Sequence, residues 1–285
     1  MSRMRIPLQP AELVELEGRD AVAFAHAQFT TDVRALPVHG WQWSAWLDAQ
    51  GRALAFFLLA RLADERLLSW LPIGDAHTFR DALARFVFRS RVTITVREDA
   101  WLHRDDDATP PAPWTTREHE GGIAVALTGA STRVAWIGPA VDATSGDTDT
   151  LVAWRRADID DRLPLLPASL AGKFVPQALE LQRIGAIRFD KGCYPGQEIA
   201  ARLHFRGGNK RSLRRLRIRG TKAASGESLL DRDGTQVGTI LHAAPDGDDS
   251  LALAVVADAA IGTLAVTGSG APATWTDDAG AATGS

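Results

Sequence analysis

Residues Ala53–Ala60 form eight uninterrupted apolar positions fenced by Arg52 and Arg61, and no other feature constrains the fold as strongly. The run is too short for a membrane span, which needs about 20 such residues. It reads instead as a strand covered on both faces, so packed layers must lie above and below it. Just upstream, Trp41, Trp43, Ala45 and Leu47 alternate at strand period, and Asp48-Ala-Gln-Gly51 between the two segments is a turn. Leu13–Leu16, Leu67–Leu71 and Val92–Val96 read as further strands. Asp20 is placed to cap a helix whose face carries Val22, Ala25 and Phe29. A second helix is expected around Asp81–Phe88, with Leu83, Phe86 and Val87 on one side. Together these give an α+β unit with an antiparallel sheet and segregated helices.

Beyond it, Arg104–Glu120 is polar, carries three prolines and reads as a connector. Gly121–Leu127, Arg133–Ile137 and Leu151–Arg155 read as three strands, and Leu163–Leu181, with three prolines, ends in a helical piece. From Gly208 onward the pattern is all strand: Leu216 and Ile218 alternate with arginines, Asp231-Arg-Asp-Gly234 marks a hairpin turn, and Leu251–Val256 is a buried strand. A small C-terminal barrel fits this end. The expected division is a first α+β subdomain over 1–120, a second over 121–207, a β-barrel over 208–275, and a disordered tail over 276–285.

Function classes narrow by exclusion. Cys193 is the one cysteine of 285 residues, which rules out an internal disulfide framework, a Cys-rich zinc site and a self-contained iron–sulfur cluster. The start, MSRMRIPLQP, has no apolar signal core, and a cytoplasmic location is expected. His119-Glu120 begins like a zinc-protease helix, but Ile123 stands where the second ligand belongs. No nucleophile elbow, Walker loop or dinucleotide fingerprint is found. Asp105-Asp106-Asp107 is read as a solvated loop rather than a metal site. The net charge is −3, yet Arg202–Lys222 holds nine Lys or Arg and no acid, leaving −12 elsewhere. The later arginines suit a solvated strand face, while the run as a whole suits an anionic ligand. With Phe205 its lone aromatic, it gives little support for base stacking, and no direct nucleic-acid binding is expected.

The informative segment is Asp190–Arg202, DKGCYPGQEIAAR. Gly192 and Gly196 free the backbone around Cys193, Pro195-Gly196 is a turn pair, and Gln197 opens a helix with Glu198 in its first turn. A thiol beside Lys191 and near a helix N-terminus is expected to be more acidic than usual. Tyr194, the chain's lone tyrosine, adjoins it. One loop thus gathers a cation, a nucleophile, a phenol, an amide and a carboxylate.

Lys191-Gly-Cys-Tyr-Pro-Gly-Gln-Glu198 resembles the signature loop of the YgfZ family, folate-binding proteins similar to the glycine-cleavage aminomethyltransferase. Flanking segments agree: Phe174–Gln177, Ile187–Phe189, Phe205-Arg-Gly207 and Asn209-Lys-Arg211 around the loop, and Gly18–Ala21, Gln28–Val33 and Asp48–Gly51 near the N-terminus. The resemblance implies two α+β subdomains and a C-terminal β-barrel around a central channel holding tetrahydrofolate or another reduced folate. Cys193 and Lys191 would be the reactive pair. Tyr194, Gly196, Gln197, Glu198 and Arg202 would be ligand-binding, with the pterin on Glu198, Gln197 or Glu180 and the folate carboxylates on the basic segment from Arg202. The implied task is support of iron–sulfur enzymes such as tRNA methylthiotransferases, an indirect link to tRNA. The alternative is a folate-dependent aminomethyltransferase or demethylase, but where aminomethyltransferases have an acidic pair after a glycine turn this chain has Ala55-Phe56, which cannot relay a proton. A third reading is a binding module in which folate is structural.

Overall fold

The computed structural model describes residues 5–106, 109–127, 129, 132–140, 146–261 and 265–276. The chain opens with strands β1 (Arg5–Pro10) and β2 (Leu13–Glu17), then helix α1 (Ala21–Gln28), the hairpin β3 (Trp41–Leu47) and β4 (Ala53–Ala63), β5 (Arg66–Trp70), helix α2 (Ala76–Ala84) and β6 (Thr93–Val96). The five strands β3-β4-β5-β2-β6 make one antiparallel sheet. As the apolar run requires, β4 is buried on both faces. Phe57 and Leu59 pack with α1 and α2, and Phe56, Leu58 and Ala60 join the central core.

The next elements are β7 (Ala100–Asp105), β8 (Thr116–His119), β9 (Gly122–Leu127), β10 (Arg133–Pro139) and helix α3 (Thr148–Asp160). The second sheet has the order β1-β7-β10-β9-β8. A boundary at 120/121 therefore cuts this sheet between β8 and β9, and β1 and β7 belong to it although they lie before that boundary. Sequence proximity misassigned them, because an antiparallel sheet can recruit its edge strand from far along the chain.

The Arg104–Glu120 connector is thus shorter than expected, with strand at both ends. Asp105 is not solvated: it is buried opposite Arg5 at 3.5 Å, and Asp106 pairs with Arg104 at 2.5 Å. Asp107 lies outside the described residues, as does the tail from 277.

Two helix expectations are corrected. Leu151–Arg155 lies within α3, not in a strand. Asp147 caps that helix by accepting the Thr150 N–H at 2.7 Å, and Trp154, Asp158 and Ile159 form its buried side. A run of four apolar residues closed by an arginine carries no period that separates the two states. α2 also lies earlier than Asp81–Phe88. Asp75 caps it through Thr78, the buried face is Ala76, Phe79 and Leu83, and the chain leaves the helix before Phe86 and Phe88, which are exposed. Asp20 stands at the start of α1, but its carboxylate accepts the Arg91 N–H.

Helix α4 (Gln197–Arg206) leads into β11 (Arg211–Ile218), β12 (Ser228–Leu230), β13 (Gln236–Asp246), β14 (Asp249–Ala257), β15 (Ala265–Thr267) and β16 (Pro272–Trp275), a closed barrel in the order β11-β14-β13-β12-β15-β16. Closure leaves no unpaired edge. One core spans both sheets, the segment after α3 and the outer face of barrel strands β11, β13 and β14, through Leu163, Leu165, Leu213, Leu241 and Leu253, while the barrel interior is a separate cluster with Leu216, Ile240 and Val256.

His242, at a bulge in β13, docks the barrel: its Nε2 donates to the Leu163 carbonyl at 2.9 Å. Burial lowers its pKa to about 4. An unfolded histidine titrates near 6.5, so the unfolded chain takes up the proton first as pH falls. This contribution is complete above about pH 6.5 and is lost as pH falls toward 4, a change of about 3 kcal/mol. Urea titrations at pH 7 and pH 4.5 are expected to differ more for the wild type than for His242→Gln, which keeps a donor without titrating.

Candidate functional site

The DKGCYPGQE loop is held by contacts that each require its particular residues. Three carbonyls at the end of α1, those of His26, Phe29 and Thr31, accept from the Lys191 ammonium at 2.5, 2.6 and 3.0 Å. A helix C-terminus leaves such carbonyls unpaired and carries the negative end of the helix dipole. An ammonium has three N–H donors, so Lys191 is saturated. It stands 4.9 Å over the Tyr194 ring. Burial lowers its pKa to about 8, against a smaller upward pull from Asp32. Its place is therefore structural first: it fastens the loop to α1.

The other residues of the loop divide by exposure. Cys193 is exposed. Tyr194 is buried, donates its hydroxyl to the Arg188 carbonyl at 2.9 Å, and has its pKa raised by burial. Gly196 adopts φ 72° and lies against the Asp48–Gly51 turn, where a Cβ would come 2.3 Å from the Asp48 carbonyl oxygen. Only glycine permits that approach. Gln197 donates weakly to the Lys191 carbonyl at 3.4 Å. Glu198 and Arg202 are exposed on α4. Glu180 is clamped instead: it accepts from Arg162 at 2.9 Å and from the Leu213 N–H at 3.1 Å, and faces Arg183 at 3.3 Å, tying the barrel to the segment before the loop. That leaves it no free edge for a pterin.

A cleft of about 580 Å³ opens beside the loop, walled by Trp41, Trp43 and Trp114, with Asp32, Gln42 and Arg188 among its polar residues. It shares a frame with the loop. Lys191 grips the Thr31 carbonyl next to Asp32, and Tyr194 grips the Arg188 carbonyl. The Arg188 N–H donates to the Thr30 carbonyl, and the Thr30 hydroxyl to Ala186. None of Tyr194, Gly196, Gln197, Glu198 or Arg202 lines the cleft.

The aromatic wall is continuous: the Trp41 ring lies 4.8 Å from Trp114 and 5.9 Å from Trp43. Trp114 is half exposed and has φ 62°, a conformation costly for a bulky residue and concentrated at functional sites. Gln42 is oriented by donating to the Thr31 hydroxyl at 3.0 Å. Asp32 Oδ1 lies 3.3 Å from His26 Nδ1 and accepts the Ala35 N–H; that backbone bond leads the causes that lower its pKa. His26 is held below its usual value by burial and by Lys191. Motif reading reached Asp32 and the alternating Trp41 and Trp43, but Trp114 lay in the presumed connector.

Ala55 and Phe56 are both buried and point to opposite sides of the first sheet. Phe56 stacks on Trp43 at 4.9 Å, and Ala55 lines a separate apolar cavity with Trp46 and Phe79. Replacing Lys191 by Met leaves three carbonyls without their donor, at about 1–3 kcal/mol for a buried unpaired group. Lys191→Met is expected to lower the urea midpoint by a stability loss of about 2 kcal/mol, and Lys191→Arg not to restore it, since a planar fork does not reproduce a point ammonium.

No family model matches the chain. It is 28% identical over 279 residues to the tRNA-modifying protein YgfZ of Cronobacter sakazakii, covering 88% of this chain and 83% of that one. It is also 28% identical to its namesake in Serratia proteamaculans, with the same coverage. Among solved structures, the glycine cleavage system aminomethyltransferase T of Bartonella henselae superposes with a TM-score of 0.66 at 16% identity, over 93% of this chain and 82% of that one. In sequence over most of its length the chain is similar to the YgfZ proteins, and its fold is aminomethyltransferase-like.

Proposed function

We propose that the chain is a reduced-folate-binding accessory protein that supports iron–sulfur enzymes, with Cys193 as its working thiol. The observation that carries the folate reading is the cleft of three tryptophans beside the signature loop. A pterin is flat and aromatic, and one edge alternates hydrogen-bond donors and acceptors. Trp41 and Trp114 offer the stacking surface. The Asp32 carboxylate and the Gln42 amide oxygen offer acceptors for the N–H groups of such an edge, the Gln42 N–H groups being taken by the Thr31 hydroxyl and the Asp32 carbonyl. Arg188 stands at the same cleft, tied to the exposed Asp190 at 2.7 Å, and is the cation available to a folate carboxylate.

Support for the second half of the proposal is kinship and exposure. The relatives are named tRNA-modifying proteins, and an accessory protein for the iron–sulfur enzymes that methylthiolate tRNA would earn that name indirectly. Cys193 is open to a protein partner or a small sulfur or one-carbon species rather than enclosed in the cleft. The aminomethyltransferase or demethylase alternative gains no support from Ala55 and Phe56, which lie in apolar packing where an acidic pair would be needed. Among the described residues, no helix is long and apolar enough to cross a membrane.

Tetrahydrofolate titrated into the protein, followed by tryptophan fluorescence and checked by calorimetry, is expected to show saturable micromolar binding. Trp114→Ala should weaken it about tenfold, within the range for a lost aromatic contact. Cys193→Ala should leave it intact. Absence of saturation with any reduced folate would refute the folate reading. In cells lacking the protein, Cys193→Ala is expected to fail to restore tRNA methylthiolation, and full rescue would remove the thiol from the function.

A further inference from the structure

The fold divides the basic run into two unlike parts. Three of the later arginines have carboxylate partners: Arg214 stands 4.0 Å from Glu180, Arg215 3.3 Å from Asp160, and Arg217 2.5 Å from Asp246, while Arg219 and Lys222 at the far end of the run are exposed. The charge of those three is locally cancelled. Arg202, Arg206, Lys210 and Arg211 are all exposed, and among the described residues no carboxylate lies within 4.0 Å of any of them. Unpaired cations therefore collect on α4 and on the turn that follows it.

The same surface carries an open aromatic stack. Phe189 and His204 are parallel at 4.7 Å, and the Phe205 ring meets His204 at 4.6 Å and Phe189 at 6.0 Å. Phe205 is 74% exposed, an unfavourable position for a large apolar ring unless something covers it. Helical spacing sets Phe205 three residues after Arg202 and Arg206 four after it, so the ring and both guanidinium groups share one face. Glu198 is the one carboxylate of α4 and sits a turn away. Beside the stack lies an open groove of about 350 Å³ lined by Gln182, Arg188, Phe189, Asp190, His204 and Phe205. From the sequence, Phe205 is a solitary aromatic in a basic run; folding supplies two more rings and leaves the nearest cations unpaired.

We propose that this surface binds single-stranded RNA, with one base stacked on Phe205 in the groove and the flanking phosphates on Arg202, Arg206, Lys210 and Arg211. An aromatic platform flanked by unpaired cations is how sequence-tolerant single-strand binders work: the ring stacks any base and the cations follow the backbone. An acidic protein surface would use the cations, but the negative face of the Phe205 ring repels carboxylates and would be left uncovered by them. The groove shares Arg188 with the tryptophan cleft, but the ring stack and the four cations lie outside that cleft, so this inference does not rest on the folate reading.

The test uses the full-length protein and a fluorescein-labelled 12-nucleotide oligouridine, read by anisotropy between 50 and 300 mM salt. Wild type is expected to bind with a log Kobs against log salt slope of about −3, that of roughly four phosphates neutralised on a single strand. Phe205→Ala should weaken binding about tenfold at unchanged slope, the loss of one stacked base. Arg206→Ala should weaken it and flatten the slope by about 0.7. Both positions are exposed, and circular dichroism verifies that the variants fold. Trp114→Ala should bind RNA as wild type does. No binding at 50 mM salt overturns the proposal, and so does binding that polyglutamate displaces as well as unlabelled RNA while Phe205→Ala leaves it unchanged, which would assign the surface to an acidic protein.

Discussion

The three bonds from Lys191 to the end of α1 fix everything around them. One ammonium closes the open carbonyls at the end of a helix packed on the first sheet while belonging to a loop at least 160 residues further along the chain. The carbonyls would otherwise be unpaired, and the charge would otherwise lack solvent, so each satisfies the other. Because Lys191 sets the loop against α1, Tyr194 reaches Arg188 and Gly196 reaches the Asp48–Gly51 turn. Those contacts aim α4 outward and hold one wall of the tryptophan cleft. The signature loop is thus a clasp between distant parts of the chain before it is anything chemical, and the exposure of Cys193 goes with a backbone anchored on both sides of it.

This assigns different work to residues that look alike in the sequence. Lys191 beside Cys193 suggests a cation that activates a thiol, but its donors are saturated by carbonyls. Glu180 suggests a ligand for a pterin, but it is the hub of an Arg162, Arg183 and Arg214 cluster that locks the barrel in place. The basic run suggests one electropositive strip, but three of its nine cations are neutralised by Asp160, Asp246 and Glu180. In each case the neighbour that decides the role comes from a distant part of the chain.

Local patterns with a strong physical cause were legible. The apolar run of β4, the turn at Asp48–Gly51, the Gly196-led start of α4 and the hairpin at Asp231–Gly234 follow from burial or from backbone freedom, and both are written in a few adjacent residues. The membership of β1 and β7 in the second sheet was not legible, because strand pairing depends on register with residues far away. Leu151–Arg155 failed for a different reason: its run is short, and Asp147, the capping residue that announces the helix, stands outside it. The cleft was half visible. Asp32 and the alternating Trp41 and Trp43 could be marked, but Trp114 takes its value from a bend that brings it back over Trp41, and no periodicity encodes that.

Ala55 and Phe56 connect the fold to what this chain does with it. The architecture is shared with an aminomethyltransferase, and a hairpin entering a closed cleft could carry acids at these positions. Here the second member of the pair stacks on Trp43 and so props the aromatic wall from behind. A carboxylate there would be buried against an indole without a partner, an arrangement costing several kcal/mol. Phe56 thus braces Trp43, and with it the wall of the cleft, at a position where the physics of burial selects an aromatic ring over an acid.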